Sequence, residues 1–126
     1  MAEIKLRMSY EEIESEQQKL CSAHGVELYP CGPDTKVGIA LDTLTQTPIN
    51  GLRHPPEGDT NGWYIWGGEV LSSSPEFFQP LHTEHLCARL PIVLRFLGLP
   101  PGYRFLIAGD YIDVWYDGAL LDVSKG

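Results

Sequence analysis

The chain has 126 residues, of which 43% are hydrophobic and 21% charged, and this composition predicts one globular domain over residues 1–126. Nine Lys and Arg against seventeen Asp and Glu give a net charge of −8. That sign argues against nucleic acid or an anionic membrane as partner, because either requires a basic surface. With three cysteines in no metal-ligand spacing, no signal peptide and no membrane-length apolar run, we expect a cytoplasmic protein without cofactor or metal.

The first predicted element is a helix within residues 1–25. Ser9-Tyr10-Glu11-Glu12 is a capping box, in which the Ser9 hydroxyl and the Glu12 carboxylate satisfy the first backbone N–H groups. Gly25 supplies a left-handed stop. Because its apolar stripe is thin, we expect this helix to lie over the domain rather than inside it.

The middle of the chain alternates short strands with turns and helices. Strands are predicted at residues 26–29, 36–42, 49–53 and 62–67. Prolines and polar turn formers make residues 55–61 a surface loop. Residues 83–90 and 91–97 are predicted to form one or two short helices, the first capped by Thr83 and the second started by Pro91.

Residues 103–117 predict a β-hairpin. Gly109-Asp110 suits a two-residue type II′ turn between two alternating apolar runs. That turn sets a register with Phe105 opposite Val114, and the same side, which also carries Tyr103, Ile107, Ile112 and Tyr116, is expected to face the core. The elements together predict an α+β fold, mainly antiparallel sheet with helices packed on one face and a C-terminal hairpin.

His82, Glu84 and His85 suggest a small metal-dependent hydrolase, because imidazoles three residues apart share a helix face. The spacing differs from the zincin patterns and no third ligand is evident. We therefore favour the simpler interpretation, that both histidines are partly exposed polar residues at the start of a helix.

The distribution of charge is more informative than any short motif. Residues 54–88 contain five acids and residues 105–124 contain four, and neither stretch contains Lys or Arg. The same stretches hold all three tryptophans, Trp63, Trp66 and Trp115. Acids interleaved with large aromatics are typical of a recognition surface for a basic partner. The alternative, weighed equally, is that the aromatics form the core and the acids serve solubility.

Residues 36–108 resemble the bacterial polymorphic-toxin immunity family numbered thirty-three. The most specific feature is Gly62-Trp63 followed by Gly67-Gly68-Glu69, which comes after an acidic loop ending in Asp59-Thr60-Asn61. Pro91-Ile92-Val93 and Pro101-Gly102 also match. The family commonly has a second acid where this chain has Gly68, a departure that bears on any paired-carboxylate role.

The resemblance implies an α+β, non-enzymatic binding protein that neutralises a cognate toxin. Our hypothesis is steric occlusion of a toxin with a basic surface, and Trp63 is expected to pack inward. The expected partner-binding residues are Asp59, Trp66, Glu69, Asp113, Trp115 and Asp117. Besides the hydrolase, a housekeeping domain that binds a small ligand in an aromatic pocket remains an alternative.

Overall fold

The computed structural model describes residues 9–122, which form two α-helices, six strands and four short 3₁₀ helices. The α-helices are α1 (Tyr10–Ala23) and α2 (Leu86–Arg89). The strands are β1 (Lys36–Ile39), β2 (Ile49–Arg53), β3 (Thr60–Gly67), β4 (Gln79–His82), β5 (Tyr103–Ala108) and β6 (Tyr111–Tyr116). The 3₁₀ helices are Leu41–Thr43, Thr83–His85, Pro91–Phe96 and Gly118–Leu121.

The predicted start and stop of α1 are confirmed. The Ser9 hydroxyl accepts a hydrogen bond from the Glu12 N–H at 3.1 Å, and the Glu12 carboxylate accepts one from the Ser9 N–H at 2.9 Å. Gly25, just beyond the helix, has a φ of +70°, a conformation that favours glycine. Ile13 and Cys21 are the buried residues of α1, so the helix lies across the domain surface as expected.

The six strands form one sheet in the order β4-β1-β3-β2-β5-β6. Every neighbouring pair is antiparallel except β1 with β3. The predicted α+β fold with a mainly antiparallel sheet is therefore confirmed. None of the described helices combines the length and the apolar composition that crossing a membrane requires.

The sheet has two differently covered faces. On one, which we call the helix face, α1 and the 3₁₀ helix Pro91–Phe96 cover a core that contains Trp63, Ile65 and Phe105. On the other, the loop face, a smaller cluster forms around Trp66. Its members come from β2 and β3 and from the segments after β1, β3 and β6, and they are Ala40, Leu52, Tyr64, Trp66, Phe77, Phe78 and Leu120.

An arginine at the end of β2 is buried on the helix face. Arg53 is 1% exposed and has no carboxylate partner among residues 9–122. Its guanidinium donates instead to backbone carbonyls, including those of Tyr29 and Leu99 at 2.8 Å and Asn61 at 2.9 Å. Burial lowers the pKa of Arg53 below its ordinary value. Arg53 thereby joins the end of β2 to β3 and to the irregular segments that contain Tyr29 and Leu99.

Two strand predictions need correction. Residues 26–29 are irregular, and Tyr29 instead donates its N–H to the Gly98 carbonyl at 2.8 Å. The strand predicted at residues 36–42 ends at Ile39, because Leu41–Thr43 turns into a 3₁₀ helix. The sequence also gave no sign of β4, which contains Pro80 and pairs with β1.

The hairpin is confirmed residue by residue, with Phe105 opposite Val114 and Ile107 opposite Ile112. Gly109 has a φ of +61° and Asp110 has no positive φ, as a type II′ turn requires. The prediction that this whole side is core is wrong for β6. Phe105 is buried, but Ile112 and Tyr116 are 40% and 54% exposed, because β6 is the edge strand and only Val114 of it packs against the helix-face core.

Candidate partner-binding surface

The strand register places three of the six predicted partner-binding residues on the loop face. Trp66 lies opposite Asn50, Asn50 opposite Leu106, and Leu106 opposite Asp113. Trp115 lies opposite Arg104 in the next row. At a strand spacing of about 4.8 Å, Trp66 and Asp113 are about 14 Å apart along one row. Residues distant in sequence therefore share one side of the sheet.

The two tryptophans of β3 are both buried, on opposite faces. Trp63 is fully buried on the helix face, as predicted, and its indole N–H donates to the Leu97 carbonyl at 3.0 Å. Trp66 is only 4% exposed, and its ring centroid lies 6.1 Å from that of Phe78. Trp66 thus packs beneath the segments that cover the loop face, and almost none of its side-chain surface is accessible to a partner in this structure.

Glu69 is exposed where the chain leaves β3, and its backbone exit is tightly defined. The Asn50 amide donates to the Gly68 carbonyl at 2.8 Å and to the Trp66 carbonyl at 3.3 Å. A Cβ on Gly67 would collide with the Thr43 carbonyl oxygen, and Gly68 has a φ of +89°. The Gly67-Gly68 pair is therefore required to turn Glu69 outward at a fixed place.

The residues after Glu69 add apolar surface that was not predicted from the sequence. Val70 is 74% exposed and Leu71 is half exposed. Large aliphatic side chains exposed next to a carboxylate resemble the mixed composition of protein interfaces. The sequence pattern that could have predicted this exposed apolar surface is two adjacent aliphatic residues between a Gly-Gly turn and three serines.

Trp115 and Asp117 are linked by Arg104. The Arg104 guanidinium carbon lies 5.5 Å from the centre of the Trp115 ring, and Arg104 Nη1 lies 3.0 Å from Asp117 Oδ2. Asp117 also accepts a hydrogen bond from the Ala119 N–H at 3.2 Å, at the start of Gly118–Leu121. The Asp117 charge is therefore largely balanced within the fold, whereas Trp115 remains 37% exposed.

Asp113 and the turn residue Asp110 are exposed and form no ion pair with any residue between 9 and 122. Tyr111, between them, is also exposed. The hairpin tip and the loop-face side of β6 thus carry unbalanced negative charge beside aromatic surface. Glu69 lies at the same end of the sheet, because Gly68 bonds to Pro48 just before β2, the strand next to β5.

Asp59 lies apart from the other predicted residues. It precedes β3 and Glu69 follows it, so the eight residues of β3, about 26 Å of strand, separate the two carboxylates. Lys36 Nζ contacts Asp59 Oδ2 at 3.0 Å. The Lys36 hydrogen bond and charge hold the pKa of Asp59 below its ordinary value. The structure does not bring Asp59 together with the hairpin.

The geometry does not support the two alternative functions, the metal-dependent hydrolase and the small-ligand-binding domain. The rings of His82 and His85 are 6.0 Å apart and perpendicular, and His85 Nε2 lies 4.0 Å from Glu84 Oε2. Between residues 9 and 122 no three His, Cys, Asp or Glu side chains are grouped so that they could hold a metal ion. A pocket of about 600 Å³ between the helical layer and the hairpin has a mainly aliphatic lining, unlike the aromatic pocket of the ligand-binding alternative.

Comparison with known proteins gives one family. The family model described as the Imm33-like domain matches residues 16–117. No curated protein and no solved structure matches the chain. The matched region is wider than the resemblance at residues 36–108, since it includes most of α1 and the whole hairpin. All six strands and all six predicted partner-binding residues lie inside it.

Proposed function

Because the chain belongs to the Imm33-like domain family, we propose that it is an immunity protein, which binds a cognate bacterial toxin in the cytoplasm and neutralises it by steric occlusion. Binding rather than catalysis is the role that this family suggests. The proposal names no cofactor, and the partner is a protein with a basic surface.

The observation that carries the proposal is the unbalanced negative charge at one end of the sheet. Glu69, Asp110 and Asp113 are exposed there, and residues 105–122 contain no Lys or Arg. Exposed carboxylates of one sign accelerate the approach of a partner of opposite charge and select against other partners. We call the region formed by residues 69–71 and 109–115 the acidic end.

The acidic end also contains the apolar groups that slow dissociation. Val70, Leu71 and Trp115 are exposed there. Since β3, which Glu69 follows, and β6 are three strand spacings or about 14 Å apart, a standard interface of about 800 Å² on each partner spans both. Trp66 contributes by supporting this surface. We expect Asp59 and Asp117 to contribute least, because Lys36 and Arg104 balance their charges.

The test is protection of cells that express the toxin candidate encoded by the adjacent gene. We compare Glu69→Lys with Glu14→Lys, an equal charge reversal on the exposed side of α1, at matched protein levels. Glu69→Lys is expected to abolish most of the protection, whereas Glu14→Lys is expected to protect like the wild type. Raising salt from about 50 to 500 mM is expected to slow association several-fold and to change dissociation little.

Two results would contradict the proposal at different levels. If the adjacent gene product is not toxic, or the wild-type chain gives no protection, the immunity role fails. If Glu69→Lys protects as well as the wild type while protection itself is clear, the immunity role stands but the acidic end is not the contact surface.

A further inference from the structure

The two edges of the sheet are built differently. At one edge, β4 has four residues and includes Pro80, which has no N–H to offer another strand. At the other edge, β6 has six residues, contains no proline, lysine or bulge, and pairs only with β5 in the described chain. Natural proteins usually blunt an exposed edge strand with such features. The β6 edge is open.

The register shows which backbone groups of β6 point outward. In an antiparallel pair closed by a two-residue turn, the pair that flanks the turn, Ala108 and Tyr111, exchanges hydrogen bonds, and bonded pairs then alternate. The bond from the Asp117 N–H to the Gly102 carbonyl, 2.7 Å, fits this alternation. Ile112, Val114 and Tyr116 therefore direct their N–H and C=O groups away from β5, toward the open edge.

We infer that the open edge of β6 is a docking site for one extended strand of the partner protein, which would continue the sheet by backbone pairing. This inference rests on the proposed toxin-binding function and specifies how that binding occurs. Strand addition at an open edge is a recurrent mode of peptide recognition, in which main-chain hydrogen bonds supply affinity and alternate side chains supply specificity.

The side chains that border the edge define the chemistry of the incoming strand. On the loop face the strand would meet Asp113 and the exposed aromatic groups of Tyr111 and Trp115, which favour Lys or Arg. On the helix face it would meet exposed Ile112 and Tyr116, which favour apolar residues. The occupant is therefore a strand in which basic and apolar residues alternate.

A pocket next to the edge supports the apolar half of this pattern. The pocket of about 600 Å³ lies on the helix face and is lined by Ile107, Gly109 and Ile112 of the hairpin and by Ile13 and Leu94 of the helical layer. Because Ile112 belongs to both the pocket and the edge, an apolar side chain of the docked strand would lie next to the pocket mouth.

Charge argues against a second copy of this chain as the occupant. Pairing two β6 strands would bring the Asp113 carboxylates of both copies to the same edge, and each chain carries a net charge of −8. Like charges across paired strands are destabilising, and high net charge opposes self-association. A cationic strand meets neither penalty.

The test measures amide hydrogen exchange of the full chain, alone and bound to the polypeptide encoded by the adjacent gene. In the free chain, the N–H groups of Ile112, Val114 and Tyr116 are expected to exchange fast, and those of Asp113 and Trp115 slowly. In the complex, the three outward N–H groups are expected to slow by at least about tenfold. Binding that leaves them fast overturns the strand docking and leaves the immunity function standing.

A pair of variants at one position provides the second measurement. Ile112→Pro removes an outward N–H, and Ile112→Ala removes most of the same side chain but keeps the N–H. We expect Ile112→Pro to weaken binding at least about tenfold more than Ile112→Ala, with Asp113 and Trp115 still slow to exchange as evidence that the hairpin persists. Equal affinities would overturn the inference.

Two further outcomes distinguish failure of the proposed function from failure of the strand-docking inference. If the adjacent gene product does not bind the wild-type chain at all, the proposed function and this inference fail together. If Ile112, Val114 and Tyr116 are already protected in the free chain, the edge is occupied by a second copy or by another part of the chain, and the strand-docking inference alone fails.

Discussion

The two faces of the sheet are covered by different means and to different extents. The helix face is closed by α1 and Pro91–Phe96 over a large core, with buried Arg53 joining separate backbone segments. The loop face is closed over β1, β3 and β2 by two short segments that contribute Phe77, Phe78 and Leu120. Over β5 and β6 the loop face is not closed in this way, since Trp115 and Asp113 remain exposed.

This difference assigns stability and recognition to different parts of one sheet. Buried aromatics and satisfied polar groups maintain the central strands, where a change costs folding free energy. The outer hairpin is held by its turn and by its register with β2 and leaves charged and aromatic groups available. Substitutions in the two regions should therefore separate loss of stability from loss of binding.

The largest expected effect is at Arg53. Arg53→Ala removes the donors for the Tyr29, Asn61 and Leu99 carbonyls and leaves a cavity, so we expect a loss of about 4 kcal/mol in the free energy of unfolding. The matched control is Arg95→Ala, whose exposed guanidinium carbon lies 5.1 Å from the Phe96 ring centre. The control should cost less than about 1 kcal/mol in denaturant titrations. Similar losses would show that the carbonyl contacts do not stabilise the core.

A second comparison uses one tryptophan from each region. Trp66→Ala should lower the free energy of unfolding by about 3 kcal/mol, because it empties the space beside Phe78. Trp115→Ala should cost less than about 1 kcal/mol and should instead speed dissociation of the toxin. Denaturant titration and binding kinetics measure the two effects. If Trp66→Ala remains stable but loses binding, the Trp66 ring is exposed in the complex, and the division between the regions is wrong.

The sequence predicted the hairpin well for a local reason. Gly109-Asp110 determines the turn, and the turn determines the register of β5 with β6. Apolar and polar residues alternate visibly along β6 because this edge strand is covered only in part. The resemblance rested on Gly62-Trp63 and Gly67-Gly68-Glu69, and the three glycines of these motifs lie where the backbone requires glycine. A Cβ on Gly67 would collide with the Thr43 carbonyl oxygen, and Gly68 has a φ of +89°, which favours glycine.

The central strand could not be read in the same way. β3 is buried on both faces, so its alternation no longer distinguishes an exposed tryptophan from a covered one. Arg53, a charged residue in the core, and β4, a strand containing Pro80, both run against residue preferences. Their places depend on carbonyls and on a partner strand that are distant in sequence, and local patterns carry no record of these contacts.

The smallest effect tests the boundary between the two regions inside the hairpin. Val114 is half-buried against the helix-face core, and the neighbouring Asp113 points to the exposed side. Val114→Asp should lower the free energy of unfolding by about 2 kcal/mol, less than at a fully buried site, because the new carboxylate keeps some contact with water. Asp113→Ser should change it by less than about 0.5 kcal/mol but should slow association with a basic partner. Equal shifts of the two denaturation midpoints would contradict this description of the hairpin, because the face of β6 on which a side chain lies would then not affect stability.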